Sequence, residues 1–206
     1  MHPFVFWSSL VIIATLLAFS LIATETADGF FSALQGQIAG AFGGFYILSM
    51  SALLLFALFL LCTPFGSIRL GADDTQPEFS LLTWFAMLFS AGMGIGLLFY
   101  SVAEPIMHFS SPPSGEGGSA EAARFAMGLT FFHWGLHPWA VYAIVGLCIA
   151  YFSFRQGLPL SIRSAFFPLL GERIHGRIGD AIDTLAVVST LFGVATSLGL
   201  GAMQIN

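Results

Sequence analysis

Residues 81–105 read LLTWFAMLFSAGMGIGLLFYSVAEP, an apolar run with Gly92, Gly94 and Gly96 at every second position. The run is long enough for a membrane span, which needs about 20 apolar residues. Its glycines suit a continuous helix badly, since each costs about 1 kcal/mol against alanine in a helix interior. Packing is the ordinary explanation: Gly92 and Gly96 form a GxxxG pair that lets two membrane helices approach closely. Gly94 falls on the other side of such a helix, so one packing face does not account for all three. The alternative is an unwound helix at mid-depth. Non-helical backbone is tolerated there only where protein buries it or where it lines a cavity. Discontinuous helices of this kind build the substrate and ion sites of secondary transporters.

The rest of the chain agrees with a lipid setting. Its 206 residues are 57% hydrophobic and 8% charged, with mean hydropathy +0.88. A soluble domain carries about 25% charged residues. Six arginines and no lysine stand against eleven acids, which argues against nucleic acid as a partner. Cys62 and Cys148 lie in separate apolar runs. They read as small buried hydrophobes rather than as a disulfide framework or a ligand cluster.

Five apolar segments are predicted to span: 4–23, 42–62, 79–103, 125–152, and one that begins near Ile182 and is still apolar at LGLGAMQIN. With the N-terminus inside, Arg69, Arg155, Arg163, Arg173 and Arg177 fall in inner loops and only Arg124 falls outside. That bias is what the positive-inside rule expects of a cytoplasmic face. The predicted setting is therefore the plasma membrane (the inner membrane, in a bacterium), multi-pass, with a cytoplasmic N-terminus and membrane lipid as a partner. SSPPSGEGGS at 110–119 reads as a flexible external loop. The inner stretch 156–180, which contains LPLSIRSAFFPLLGERIHGRIGD, reads either as an in-plane amphipathic helix or as a connecting loop. Because the fifth run is unfinished at Asn206, the chain is expected to be the N-terminal fragment of a larger bundle.

The fourth segment contains TFFHWGLHPWAVYAIVG. On a single helix, at about 100° per residue, Trp134, Trp139 and Tyr142 share an arc of roughly 140°. Three electron-rich rings on one face could surround a cation, especially a methylated ammonium that has no N–H to donate. An interfacial aromatic belt is the competing explanation. Pro138 removes the hydrogen bond that would run to the carbonyl of Trp134 and predicts a kink beside the rings. His133 and His137 sit four apart; metal binding would need a third ligand, proton coupling is a second option, and interhelical hydrogen bonding is the simplest.

AGMGIGLLFYSVAEP, followed by HWGLHPWAVYAIVGLCIAYFSFR, SAFFPLLGE and DTLAVVSTLFGVATSLGLGAMQIN, resembles the betaine/choline/carnitine transporter family from about Pro77 onward. The resemblance implies an all-α integral membrane protein with a LeuT-like core of two inverted five-helix repeats. Twelve transmembrane helices are expected in all, often assembled as homotrimers. It implies secondary active transport, by ion-coupled symport or by exchange, of a small quaternary ammonium solute such as glycine betaine, choline or carnitine, with no covalent chemistry and no cofactor. On that pattern residues 1–78 hold two peripheral transmembrane helices. Residues 79–206 hold the first three helices of repeat one, so that five of the twelve lie in this chain. The second repeat, with the tryptophan-rich helix that completes the family's aromatic cage, lies outside it, and residues 1–206 alone are not expected to transport.

Position by position, the resemblance makes Trp134, Trp139 and Tyr142 cage aromatics and Gly92, Met93, Gly94 and Gly96 the unwound stretch that contacts solute. Ser90 and Met93 match carbonyls that help bind sodium, and Thr190 matches a hydroxyl of a second sodium site. One turn later the pattern has another threonine where this chain has Val194, whose side chain offers no oxygen to a hard cation. Gly96 points to a betaine-type member, and Val194 leaves Na+ and H+ both open as the coupling ion. A proton-coupled choline transporter is thus the alternative. Two further rivals are a membrane enzyme with metal on His133 and His137, and a structural bundle subunit that does not transport.

Overall fold

The computed structural model describes residues 2–205, which are mostly helical with no strand among them. The helices are α1 (Pro3–Ile22), α2 (Thr24–Cys62), α3 (Leu81–Gly92), α4 (Ile95–Ser110), α5 (Ala120–Trp134), α6 (Leu136–Ala150), the short α7 (Phe167–Leu170) and α8 (Arg177–Ile205). Four stretches are long and apolar enough to cross a membrane: α1, α2, residues 120–155 taken through the joint between α5 and α6, and α8. The third expected span is present as two helices of 12 and 16 residues, because the chain leaves the helix between them. Two compact units can be distinguished, one from the segments up to Gly71 and Ala143–Leu191, the other from Ala72–Tyr142 and Phe192 onward.

In the first unit α1 begins with Pro3, whose missing N–H costs nothing in a first turn. Only Ala23 separates α1 from α2, and the Phe19 ring meets Phe30 and Phe31 at 6.2 Å. The stretch between the first two expected spans, with Glu25 and Asp28, forms the first turns of α2. Helix α2 ends where Pro64 follows Thr63. Cys62, expected to be buried, is exposed at that end, and Cys148 is half-buried.

The inner stretch at 156–180 forms neither a continuous amphipathic helix nor a plain loop. It is a chain of short turns, Ile162–Phe166, α7 and Gly171–His175. Gly157 and Gly171 punctuate it with φ of 71° and 53°, a region that glycine enters without penalty. Arg163 holds the turns together. Its Nε donates to Asp183 at 2.7 Å, Nη2 to Asp180 at 3.0 Å, and Nη1 to the Ile174 carbonyl at 3.1 Å. Burial works against the Arg163 charge, but hydrogen bonds and charge from Asp183 and Asp180 outweigh it and hold the guanidinium above its ordinary value. A Cβ at Gly179 would overlap the Ile174 carbonyl oxygen, so glycine is what lets α8 pass this turn. Near the same end the Ser8 and Thr184 hydroxyls meet at 2.8 Å, joining α1 to α8.

In the second unit serines cap the helices that need a defined start. Ser80 accepts from the Thr83 N–H at 3.2 Å to open α3, and Ser119 accepts from the Ala122 N–H at 3.0 Å to open α5. The 110–119 stretch, expected to be flexible, folds back on the end of α4. The Gly118 N–H donates to the Phe109 carbonyl at 2.9 Å, and a Cβ at Gly117 would strike the Ser110 carbonyl oxygen. This return lays α5 along α4.

Candidate functional site

The break falls inside the glycine run. Helix α3 ends at Gly92, Met93 has φ −90° and ψ 73°, Gly94 is extended at φ −89° and ψ 172°, and α4 resumes at Ile95. A helix end and a helix start leave backbone carbonyls and N–H groups without intrahelical partners, and those groups are what an unwound stretch offers a ligand. The described φ values here are negative, so left-handed geometry does not explain the glycines. Close approach explains one of them: a Cβ on Gly92 would lie 2.7 Å from Cη2 of Trp139. Cβ atoms on Gly94 or Gly96 would meet nothing within 4 Å. Gly92 and Gly96 therefore do not share one packing seam; the first seats an indole and the second faces open space.

A second discontinuity holds that indole. The chain bends at Gly135, between α5 and α6, where a Cβ would overlap the Phe131 carbonyl oxygen. Pro138 has no N–H to give the Trp134 carbonyl, and the Nε1–H of Trp139 takes its place at 3.1 Å. The ring of Trp139 is thus fixed by the same proline that opens the helix. Tyr142 follows one turn later, 72% exposed, with its ring 5.7 Å from that of Trp139.

Trp134 belongs to the other side of the joint, so the single helical wheel does not describe the three rings. It stacks on Tyr100 of α4 at 5.9 Å with 28° between the planes. Its Nε1–H donates to Oε2 of Glu104 at 2.6 Å. Glu104 is only 6% exposed, and Nδ1 of His133 lies 2.9 Å from both of its oxygens. Nε2 of His108, one turn along α4, approaches to 3.5 Å. Sequence reasoning missed Glu104 and Tyr100. The available signal was an acid at the end of an apolar run with a histidine four residues on, and a tyrosine one turn before it.

The remaining candidates are placed as follows. Ser90 lies in the last turns of α3 and is exposed. His137 does not join His133; its ring sits 4.6 Å from that of Phe132 while His133 turns to Glu104. Among the described residues no group of three or more His, Cys, Asp or Glu side chains is arranged to hold a metal ion. Thr190, in the first unit, donates to the Ala186 carbonyl at 2.8 Å, which leaves its oxygen lone pairs available. It lines a largely apolar cavity of about 680 Å³ together with Ser9, Ser161 and Asp183.

A family model described as BCCT, betaine/carnitine/choline family transporter, matches residues 4–206. The glycine betaine transporter OpuD of Bacillus subtilis is 53% identical over 203 residues, which cover 98% of this chain and 40% of that protein. The glycine betaine transporter of Acinetobacter baylyi is 49% identical over 205 residues, covering 100% and 31%. The osmo-dependent choline transporter BetT2 of the same species is 44% identical over 202 residues, covering 98% and 29%. The chain thus spans well under half the length of these curated relatives, which are named as transporters and not as enzymes.

Proposed function

The chain belongs to the betaine/carnitine/choline transporter family, and from that premise we propose that it forms part of a secondary transporter for a quaternary ammonium solute, glycine betaine first. The observation that carries this reading is the unwound Met93–Gly94 step directly after Gly92, on which the Trp139 indole rests. Trimethylated nitrogen cannot donate a hydrogen bond, so ring faces suit it, while backbone groups at the break suit a polar remainder. Trp139 and Tyr142 supply the adjacent rings, and Trp134 supplies a third, held on α5. The Ser90 and Met93 carbonyls are the proposed donors of one Na+ site, and the Thr190 hydroxyl of a second. The protein works in the plasma membrane with its N-terminus inside, as the arginine distribution favours, and assembles as a homotrimer.

A second reading is proton-coupled choline uptake. Val194 favours it, since the side chain one turn after Thr190 on α8 supplies no oxygen. The choline-transporting relative keeps it in view.

The test is uptake of labelled betaine and choline by cells expressing the full-length protein, with and without sodium, at two pH values. Sodium-dependent betaine uptake is expected. Replacing Trp134 and Trp139 together by leucine should abolish it. Unchanged uptake in that variant would overturn the aromatic site, and uptake that persists without sodium but falls as pH rises would replace sodium coupling with proton coupling.

A further inference from the structure

We propose that Glu104 is a positioning residue for Trp134: its buried carboxylate sets the orientation of the indole that faces the solute. The inference rests on the reading that Trp134 is part of the solute site. Three observations in the α4–α5 pair support it. The indole N–H to Oε2 distance of 2.6 Å is short even for a bond to a carboxylate. The acid is 6% exposed in a largely apolar helix, and His108 one turn on approaches it to 3.5 Å. The ring it grips also stacks on Tyr100.

The geometry fixes two degrees of freedom at once. The stack on Tyr100 limits the tilt of the Trp134 ring, and the Nε1–H to Oε2 bond selects which ring edge faces Glu104. His133, equidistant from both carboxylate oxygens at 2.9 Å, and His108 at 3.5 Å hold the carboxylate in turn. A carboxylate has only acceptors, so the indole donates to it, and His133 does so in the tautomer that carries its proton on Nδ1. The acid therefore touches no solute itself and acts through the ring.

A role exercised through Trp134 makes a specific prediction about coupling. In the full-length transporter, Glu104→Leu should raise the KM for betaine about tenfold, the loss expected for one hydrogen bond to a charged acceptor. Maximal rate per molecule at the membrane should change little. Trp134→Phe keeps the ring and removes the N–H, so it should raise KM to a similar extent. The double variant should be no worse than Trp134→Phe alone, because residues acting through one contact are non-additive. Glu104→Gln should retain near-normal KM, since its amide oxygen still accepts from the indole and His133 can change tautomer to face the amide NH2.

A second measurement covers the case in which the leucine variant does not fold. The Trp134 indole N–H resonance, observed in protein labelled with 15N at tryptophan and assigned through Trp134→Phe, should move on Glu104→Gln. An unmoved resonance overturns the proposal, as does a double variant whose KM defect is the product of the two single ones. If Trp134→Phe and Trp134→Leu both leave KM unchanged, the solute reading of Trp134 fails instead. If those variants impair KM while Glu104→Leu does not, the positioning role fails and the solute reading stands.

Discussion

A methyl group added at Gly92 would sit 2.7 Å from Cη2 of Trp139, whereas one added at Gly96 would meet nothing within 4 Å. The two substitutions should therefore part in their effect on stability. Gly92→Ala has to displace an indole that is tied by its N–H to the Trp134 carbonyl, and overpacking of this kind costs about 1–3 kcal/mol. Gly96→Ala lies in the first turn of α4, meets no neighbour and removes glycine's helix penalty. Thermal unfolding of the purified protein should show a lowered midpoint for the first and an unchanged or raised one for the second. The existence of the break was legible because three alternating glycines make a poor helix. What each glycine does was not, since contact with Trp139 depends on a residue 47 positions away in the sequence. The same limit hid Glu104. It closes an apolar run and reads as a boundary, and its partners at 133 and 134 become neighbours only once α4 and α5 lie together.

Among the elements, the joint between α5 and α6 was the most legible and the inner turns the least. Pro138 predicts a free carbonyl at Trp134 from backbone chemistry alone, and the carbonyl is found capped by the next tryptophan. The predicted consequence is a contrast between two substitutions. Gly135→Ala should severely lower the yield of folded protein, because its Cβ would meet a backbone carbonyl that cannot move aside. Pro138→Ala should fold well, because an added N–H can only supply the Trp134 carbonyl with a second donor. Size-exclusion profiles of the two variants in detergent check this. For the turns at 162–175, sequence pattern showed an apolar and basic mixture but not its organising contact. Arg163→Gln leaves Asp180 and Asp183 with no guanidinium, and removing one partner of a buried ion pair costs about 3–5 kcal/mol. Limited proteolysis between residues 156 and 176 should accelerate in that variant. A raised folded-state value for Arg163 means its contribution is complete below the unfolded guanidinium value and is lost only as pH climbs through the folded one. The neutral range therefore leaves this clamp intact.

For the whole molecule, the arginine count yields an orientation that the fold does not itself contain. A cysteine placed at Ser111 should react with a membrane-impermeant maleimide added to intact cells, and one placed at Ser67 should react only after the membrane is opened. The reverse pattern would invert the topology. Among the described residues α1 and α2 present long exposed apolar faces, with Ala27 the one buried residue of α2. The 39 residues of α2 bear on the bilayer itself. At 1.5 Å per residue the helix is about 58 Å long. A hydrocarbon layer of about 30 Å cannot contain it. Even at a tilt of about 40°, the top of the usual range, some 45 Å remain along the membrane normal. With the apolar stretch 42–62 set in the bilayer, the surplus would fall at the end carrying Glu25 and Asp28. That acidic end would then stand farther from a thin bilayer than from a thick one, which would tie its height to the physical state of the lipid around it.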